Sequence, residues 1–212
     1  MSTAKQEILN RIRNAIGARR PERQQQYLAL HRDYVQASTL TVTACLDLFI
    51  DRLRDYGTDV YRCAERQIAE AVRDSMTKRD KSELLIPPDL PPDWLPDGFR
   101  FVSDAELEYG EIDASQGVLT GCAVAIAVTG TIVLRHSAGE GRRALTLIPD
   151  YHLCVVFVNQ VLETVPQGIR EMATFNDIPL TTISGPSATS DIEMTRIKGV
   201  HGPRTLDVIL VE

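Results

Sequence analysis

The run Gly117–Leu134, GVLTGCAVAIAVTGTIVL, constrains the fold of this chain more than any other stretch. Its residues are almost all small or branched and apolar, which is typical of strands buried on both faces of a sheet. The pattern predicts two strands, Ala123–Val128 and Thr131–Leu134, joined by a tight turn at Thr129-Gly130. A chain with such a run is expected to build a covered β-sheet within one core.

Short apolar runs alternate with helical patterns along much of the chain. Helices are predicted over residues 42–56, 65–76 and 166–174, where apolar residues recur at helical spacing. Strands that alternate with helices imply a mostly parallel sheet flanked by helices, so the expected fold class is α/β. The predicted strands cover residues 59–62, 83–86, 99–103, 152–158, 179–183 and 206–211, and the last two are expected to complete the sheet.

The N-terminal region is predicted to be a helical arm. A helix is expected over residues 3–17, and the polar run 19–23 is the natural linker after it. The domain boundaries that follow are 1–23 for the arm and 24–212 for the α/β domain. The arm packs either on its own domain or on another subunit, and the sequence leaves both open. The apolar stripe that is expected to be buried in either case consists of Ile8, Ile12 and Ile16.

Composition excludes several classes of function. The 212 residues carry a net charge of -6 without a long basic block, so nucleic acid is not an expected partner. No apolar run reaches the length of a membrane span, and the N-terminus lacks the apolar core of a signal peptide, so a cytoplasmic protein is expected. The cysteines are too far apart for the compact motifs that hold zinc or iron–sulfur clusters, so no metal or cofactor is expected. These core or free thiols are Cys45, Cys63, Cys122 and Cys154.

The segment Leu180–Arg204 is the strongest candidate for a binding site. It begins as a β-branched run, breaks at Ser184-Gly185-Pro186 and becomes rich in hydroxyl groups, and a helix-like pattern leads on to Gly199. Where a buried strand ends and a helix begins, backbone N–H groups and the helix dipole favour a carboxylate or phosphate. The alternative is a capped helix without a ligand.

A second polar group lies at the turn Thr129–Thr131, where glycine permits close approach to a ligand, although a plain hairpin turn fits equally well. Farther along, His201 is either an acid/base group or a loop histidine bonded to backbone, and Arg204 is either an anion clamp or a surface residue. The turn and the Ser184–Arg204 segment are expected to meet and to bind a small anionic acid. The candidate ligand-binding residues are Thr129, Gly130, Thr131, Ser184, Gly185, Ser187, Thr189, Asp191, His201 and Arg204.

Three blocks of the sequence, AVAIAVTGTIVL, GEGRRALTLIPDYHLCVV and TTISGPSATSDIEMTRIKGVHGPRTLDVILV, resemble successive signature blocks of the lactate-utilisation protein C family, also called the LUD domain. They extend from about Val118 to Val211. The resemblance implies a fold like that of the sugar-phosphate isomerase and CoA-transferase group (NagB/RpiA). It also implies a role in oxidising L-lactate to pyruvate beside iron–sulfur partner subunits. Val128 stands where the family pattern has an acidic residue before Thr-Gly-Thr, which puts an acid/base role for this turn in doubt.

Two functions from different classes follow. The leading hypothesis is an accessory, small-molecule-binding component of an iron–sulfur L-lactate utilisation system. The alternative is a free-standing enzyme of the isomerase or transferase type that acts on a phosphorylated or CoA-linked small acid. No Glu or Cys lies within a recognisable catalytic motif, which favours the accessory role, although the sequence leaves open whether the protein is an enzyme.

Overall fold

The computed structural model describes residues 4–16, 21–137, 139–175, 178–186, 188–190, 196–198 and 202–212, with the backbone alone for 16, 21–24, 188–190 and 196–198. The chain divides into two units between Tyr34 and Val35. The first unit contains helices α1 (Ala4–Ile16) and α2 (Pro21–Leu28). Helix α1 was predicted, whereas α2 begins within the polar run interpreted as a linker, and the boundary at residue 23 therefore stays a prediction.

Two residues of the apolar stripe of α1 are largely exposed. The side chains of Ile8 and Ile12 are 57% and 47% exposed. Burial of the stripe, either on its own domain or on a partner, stays a prediction. Ile16 lies outside the residues whose side chains are described.

The second unit contains the sheets. A six-stranded sheet holds β1, β2, β3, β4, β7 and β12, and each neighbouring pair in it is parallel. Five of these strands agree within a few residues with predicted strands, whereas β4 was not predicted as a separate strand, and the α/β class is confirmed. In chain order the strands are β1 (Asp59–Cys63), β2 (Glu83–Ile86), β3 (Arg100–Ser103), β4 (Val118–Thr120), β5 (Val124–Ile126), β6 (Thr131–Arg135), β7 (Tyr151–Phe157), β8 (Val161–Leu162), β9 (Leu180–Ser184), β10 (Ala188–Ser190), β11 (Arg196–Lys198) and β12 (Thr205–Val211).

A second, mixed sheet has the order β8-β5-β6-β9. The predicted hairpin between β5 and β6 is confirmed, with a 3-10 turn at Ala127–Thr129 and Gly130 in the left-handed conformation. Strand β9 pairs antiparallel with β6, so the expectation that it completes the parallel sheet is wrong. An apolar run specifies a strand but not its partner, and the partly exposed side chains of β9 suit the edge of a smaller sheet.

The segment after β9 also departs from the prediction. Strands β10 and β11 pair antiparallel where a helix was expected to begin and continue. The helix prediction is therefore wrong for residues 188–190 and 196–198, and the intervening residues lie outside the described part of the chain. Alternating β-branched and polar residues such as Thr189 and Ile197 fit a hairpin better than a helix.

Helices α3 and α4 of this unit pack on opposite faces of the parallel sheet, whereas α7 packs on the mixed sheet. Helix α3 begins after Thr41, whose hydroxyl accepts a hydrogen bond from the N–H of Ala44 at 3.3 Å. Helix α4 is preceded by a 3-10 turn at Glu65–Gln67, as the predicted helix over residues 65–76 anticipates. The bounds are α3 (Val42–Asp55), α4 (Ile68–Lys78), α5 (Tyr109–Asp113), α6 (Arg143–Leu147) and α7 (Val165–Met172).

Two hydrophobic clusters cover the faces of the sheet. On one face, Phe49 and Leu53 of α3 pack with residues of β7, β12 and the mixed sheet. On the other face, Val72 and Met76 of α4 pack with Leu153 and other residues of the same central strands. Because β7 and β12 are covered on both faces, they consist almost entirely of apolar residues. No described helix combines the length and the apolar character that a membrane crossing requires.

Candidate functional site

Three hydroxyl groups converge where β6 begins and β9 ends. Thr129 Oγ1 lies 2.7 Å from Thr131 Oγ1, which in turn lies 2.7 Å from Ser184 Oγ. The register of β6 and β9 places Thr131 opposite Ser184. The middle hydroxyl, that of Thr131, is buried, whereas the hydroxyl chain ends at half-buried Thr129 on one side and at exposed Ser184 on the other. The exposed hydroxyl of Ser184 can donate one further hydrogen bond or accept one.

The two glycines of this region are packed closely on α3. A Cβ atom on Gly130 would lie 2.8 Å from Cβ of Arg52, and one on Gly185 would lie 2.5 Å from Cγ of Tyr56. Both glycines have positive φ, 59° and 78°. The hydroxyl of Tyr56 also donates to the carbonyl of Thr129 at 3.3 Å. The two glycines therefore serve close packing against α3 and the residue that ends it.

Arg204 pairs with an acid of its own chain. Its Nε and Nη2 donate to the two carboxylate oxygens of Asp150, with Nη2 at 2.8 Å. The hydrogen bond from Arg204 lowers the pKa of Asp150. Both side chains lie at the start of strands, Asp150 before β7 and Arg204 before β12, which is the amino edge of the parallel sheet. An anion would have to displace Asp150 to use the two-pronged guanidinium.

The remaining predicted residues cannot be placed together with this group. Ser187, Asp191 and His201 lie outside the described residues, and only the backbone of Thr189 is described, within β10. Their contribution to a common pocket therefore stays a prediction. The structure does bring Thr129, Thr131 and Ser184 together.

A second polar group lies inside the core, between β4 and β7. Thr120 Oγ1 lies 2.8 Å from His152 Nε2 and 3.9 Å from Cys154 Sγ. The thiol of Cys122 donates to Gln160 Oε1 at 3.3 Å. These residues form the thiol–imidazole cluster: Thr120, Cys122, His152, Cys154 and Gln160.

The cluster includes an unsatisfied polar atom. His152 is completely buried, and its Nδ1 has no hydrogen-bond partner among the described residues. Such an atom costs free energy unless some interaction compensates it.

A buried carboxyl, that of Glu140, belongs to a separate hydrogen-bonded group. Arg135 Nε donates to the hydroxyl of Ser137, which in turn donates to Glu140, a residue that is only 5% exposed.

Burial and hydrogen bonding perturb the titrating groups here. Hydrogen bonding with Cys122 lowers the pKa of Cys154, and hydrogen bonds with His152 and Thr120 act in the same direction. The same pairing, together with burial, raises the pKa of Cys122. Burial raises the pKa of Glu140 to about 7, although Arg135 and the Ser137 hydroxyl oppose this effect. The pKa of the Cys154 thiol is thus lowered, and the pKa of the Glu140 carboxyl lies near neutrality, so that this carboxyl is about half protonated at pH 7.

The sequence did not single out this cluster as a site. Cys122 and Cys154 were predicted to be core residues or free thiols, and both are buried and free. Their association depends on the β4–β7 register, which places Thr120 opposite Cys154. A useful signal is that Cys154 lies two residues after His152 within an apolar run, because this spacing puts both side chains on one face of a strand. No three His, Cys, Asp or Glu side chains in the described ranges are arranged to hold a metal ion.

Comparisons with known proteins identify related sequences and a related fold. A family model described as the LUD domain matches residues 109–211. The "Lactate utilization protein C" of Deinococcus radiodurans is 42% identical, with 98% of this chain and 95% of that protein covered. The protein of the same name from Bacillus subtilis is 27% identical, with 96% and 94% covered.

A solved structure agrees with the sequence comparisons. The crystal structure of a DUF162 family protein from Deinococcus radiodurans superposes with a TM-score of 0.72 at 38% sequence identity. The match covers 82% of this chain and 99% of that one. The similarity therefore extends well beyond the residues matched by the family model.

Proposed function

Because this chain belongs to the LUD-domain family of lactate utilization protein C, we propose that it takes part in L-lactate utilisation. The observation that carries the proposal is the 42% identity to a lactate utilization protein C, which extends over 98% of the chain. The aligned region covers nearly the whole chain rather than a single motif. The proposed place of action is the cytoplasm.

The proposed role is that of an accessory, small-molecule-binding component of an iron–sulfur system that oxidises L-lactate to pyruvate. Iron–sulfur subunits are the proposed partners and would carry the electrons. The family resemblance supports this assignment. The four cysteines are also free thiols, three of them buried, and their side chains contribute to packing and hydrogen bonding within the core.

The proposed ligand is a small anionic acid of the lactate and pyruvate type. Its site is the exposed end of the hydroxyl chain at Ser184, together with the adjoining segment as far as Arg204. Hydroxyl groups donate to carboxylate oxygens, and Thr131 holds the Ser184 hydroxyl in place from the buried side at 2.7 Å. The ligand would thus bind at the end of β9.

A second candidate function is supported by the thiol–imidazole cluster. A free-standing isomerase or transferase acting on a phosphorylated or CoA-linked acid would need a poised nucleophile and a proton carrier. The lowered pKa of Cys154 and the raised pKa of Glu140 are of this kind, because perturbed titrating groups concentrate at catalytic sites.

The first experiment measures binding. Calorimetric titration of the protein with L-lactate and with pyruvate is expected to give saturable binding to at least one of them. Ser184→Ala should weaken it by roughly tenfold, the typical effect of one hydrogen bond to a charged group. Thr182→Ala is the matched control, since Thr182 is exposed on the same strand. Equal losses in the two variants would contradict the assigned site.

The second experiment separates the two roles. The tagged protein is recovered from lactate-grown cells and scored for iron–sulfur subunits, and growth on L-lactate is measured in parallel. Capture of these subunits supports the accessory role. If Cys154→Ser abolished growth on L-lactate while the iron–sulfur subunits were still captured, the enzyme role would be favoured. If no iron–sulfur subunits were captured and growth on L-lactate did not require the protein, the lactate role would be refuted.

A further inference from the structure

A cleft of about 830 Å³ opens at the carboxyl edge of the parallel sheet. It is lined by residues that follow β1 and β2 and by the end of β7, and all three strands run in the same direction. Open α/β sheets bind ligands outside the carboxyl ends of their strands, and this volume suits a ligand of moderate size. The hydroxyl chain at Ser184 belongs to the other sheet and is not part of the lining.

The apolar wall of the cleft is aromatic. The rings of Trp94 and Phe157 lie 5.9 Å apart between centroids and are tilted by 40°. Both are half-buried, so each is held by the core and still presents surface to the cleft. The ring of Trp94 also packs against Gly121, because a Cβ atom built on Gly121 would lie 3.7 Å from Cη2 of the ring. Such a fixed wall favours a planar aromatic ligand.

The charges of the cleft restrict the ligand further. Arg66 is exposed and forms no hydrogen bond or ion pair with another residue in the described part of the chain. Glu65 and Asp93 contribute two carboxylates to the same lining. A simple anion would be repelled by the two carboxylates. A ligand with one anionic group and several hydroxyls would pair its anionic group with Arg66 and donate hydrogen bonds from its hydroxyls to Glu65 and Asp93.

We propose that this cleft binds a nucleoside monophosphate. The base packs on Trp94, the phosphate pairs with Arg66, and the ribose hydroxyls donate to Glu65 and Asp93. An arginine fork matches a phosphate in geometry, and carboxylates are the usual acceptors for ribose hydroxyls. The site is separate from the one proposed for the small acid, so nucleotide binding is tested independently of lactate binding.

The test uses the fluorescence of Trp94, which is the single tryptophan of the chain. AMP, GMP and UMP are titrated into the full-length protein, with adenosine and inorganic phosphate as partial ligands. At least one nucleotide is expected to change the emission saturably with a Kd below about 1 mM, and the partial ligands should bind roughly tenfold more weakly. If none of the three nucleotides saturates the signal in this range, the proposal is wrong.

Two matched variants establish where the phosphate binds. Arg66→Gln is expected to reduce nucleotide affinity to the level of adenosine, with an unchanged melting temperature because the side chain is exposed. Arg73→Gln is the control, since Arg73 is exposed on α4 and does not line the cleft. An equal loss in both variants would show that the charge acts non-specifically and would refute the site. Parallel titration with L-lactate is expected to be unaffected by Arg66→Gln.

Discussion

Asp207, buried in the middle of β12, accepts two hydrogen bonds from Arg79 at the end of α4, from Nε at 2.8 Å and from Nη2 at 2.6 Å. The carboxylate is completely buried, and it also accepts hydrogen bonds from Ser75 and Tyr151 at 3.2 Å. Hydrogen bonding to Asp207 raises the pKa of Arg79. This ion pair links the C-terminal end of α4 to β12 in the parallel sheet.

Arg79→Leu is expected to reduce the free energy of unfolding by about 3–5 kcal/mol, because it leaves a buried carboxylate without its cation. Urea denaturation of the variant and the wild type measures the difference. The control is Arg73→Leu on the exposed side of the same helix, which should change stability by less than about 0.5 kcal/mol. The double variant Arg79→Leu/Asp207→Asn should recover part of the loss, and a double variant as unstable as the single one would argue against charge burial as the cause.

Glu140 should make stability depend on pH. Its folded pKa is raised to about 7 from 4.5. A raised folded pKa means that the stabilisation is fully present below about pH 4.5 and is lost as the pH rises through 7. Glu140→Gln should therefore match the wild type at acidic pH and exceed its stability at pH 8 by about 2 kcal/mol, after allowance for solvent screening.

Urea unfolding of the Glu140→Gln variant and the wild type at several pH values gives this difference directly. Glu171→Gln is the control, because Glu171 lies exposed on α7. A difference between wild type and Glu140→Gln that does not vary between pH 4.5 and 8 would be inconsistent with the burial of this carboxyl.

Cys154 should ionise before the other buried thiols. Since hydrogen bonding with Cys122 is the largest cause of its lowered pKa, Cys122→Ala is expected to raise the apparent pKa of Cys154. The ultraviolet absorbance of the thiolate, followed as a function of pH, measures this value. Cys45→Ala serves as the control, because burial raises the pKa of Cys45 and the residue lies on α3. If the low-pH thiolate signal disappeared in Cys45→Ala, the signal would belong to Cys45 and not to Cys154, and the prediction would be wrong.

The exposed stripe of α1 should take part in assembly. Ile8→Ser/Ile12→Ser removes two apolar side chains that are exposed in the chain, so the stability of the α/β unit should be unchanged. The assembly size or the recovery of partners should fall, as measured by light scattering and affinity capture. Lys5→Ser/Gln6→Ser, which changes polar positions of the same helix, is the comparison. Identical behaviour of both double variants and the wild type would mean that the stripe has no partner.

Most of the parallel sheet could be predicted because its strands are covered on both faces. β7 and β12 are continuous apolar runs bounded by turn residues, and such runs specify a strand without reference to distant contacts. β9 was also predicted as a strand, but its place in the mixed sheet depends on pairing with β6, which local sequence does not encode. The same limit explains the hairpin of β10 and β11, where a helical pattern was expected.

The candidate site shows a similar division. Thr129, Thr131 and Ser184 were predicted to lie near one another because each borders a small-residue turn at a strand end. The thiol–imidazole cluster was missed because Cys122, which follows β4, and Cys154, which lies in β7, are distant in sequence and lack a recognised spacing. The partner of Arg204 was also missed: Asp150 is distant in sequence, and only the parallel pairing of β7 with β12 brings the two residues together.

The position of β12 has a consequence for how the chain reaches its structure during synthesis. This strand lies between β1 and β7, with Asp59 opposite Asp207 on one side and Leu153 opposite Asp207 on the other. A ribosome-bound chain that has not yet released residues 205–211 therefore cannot join β1 to the rest of the sheet. Until then β1 and the facing side of β7 present unpaired edges, and so the parallel sheet closes only in a long-range step that waits for β12.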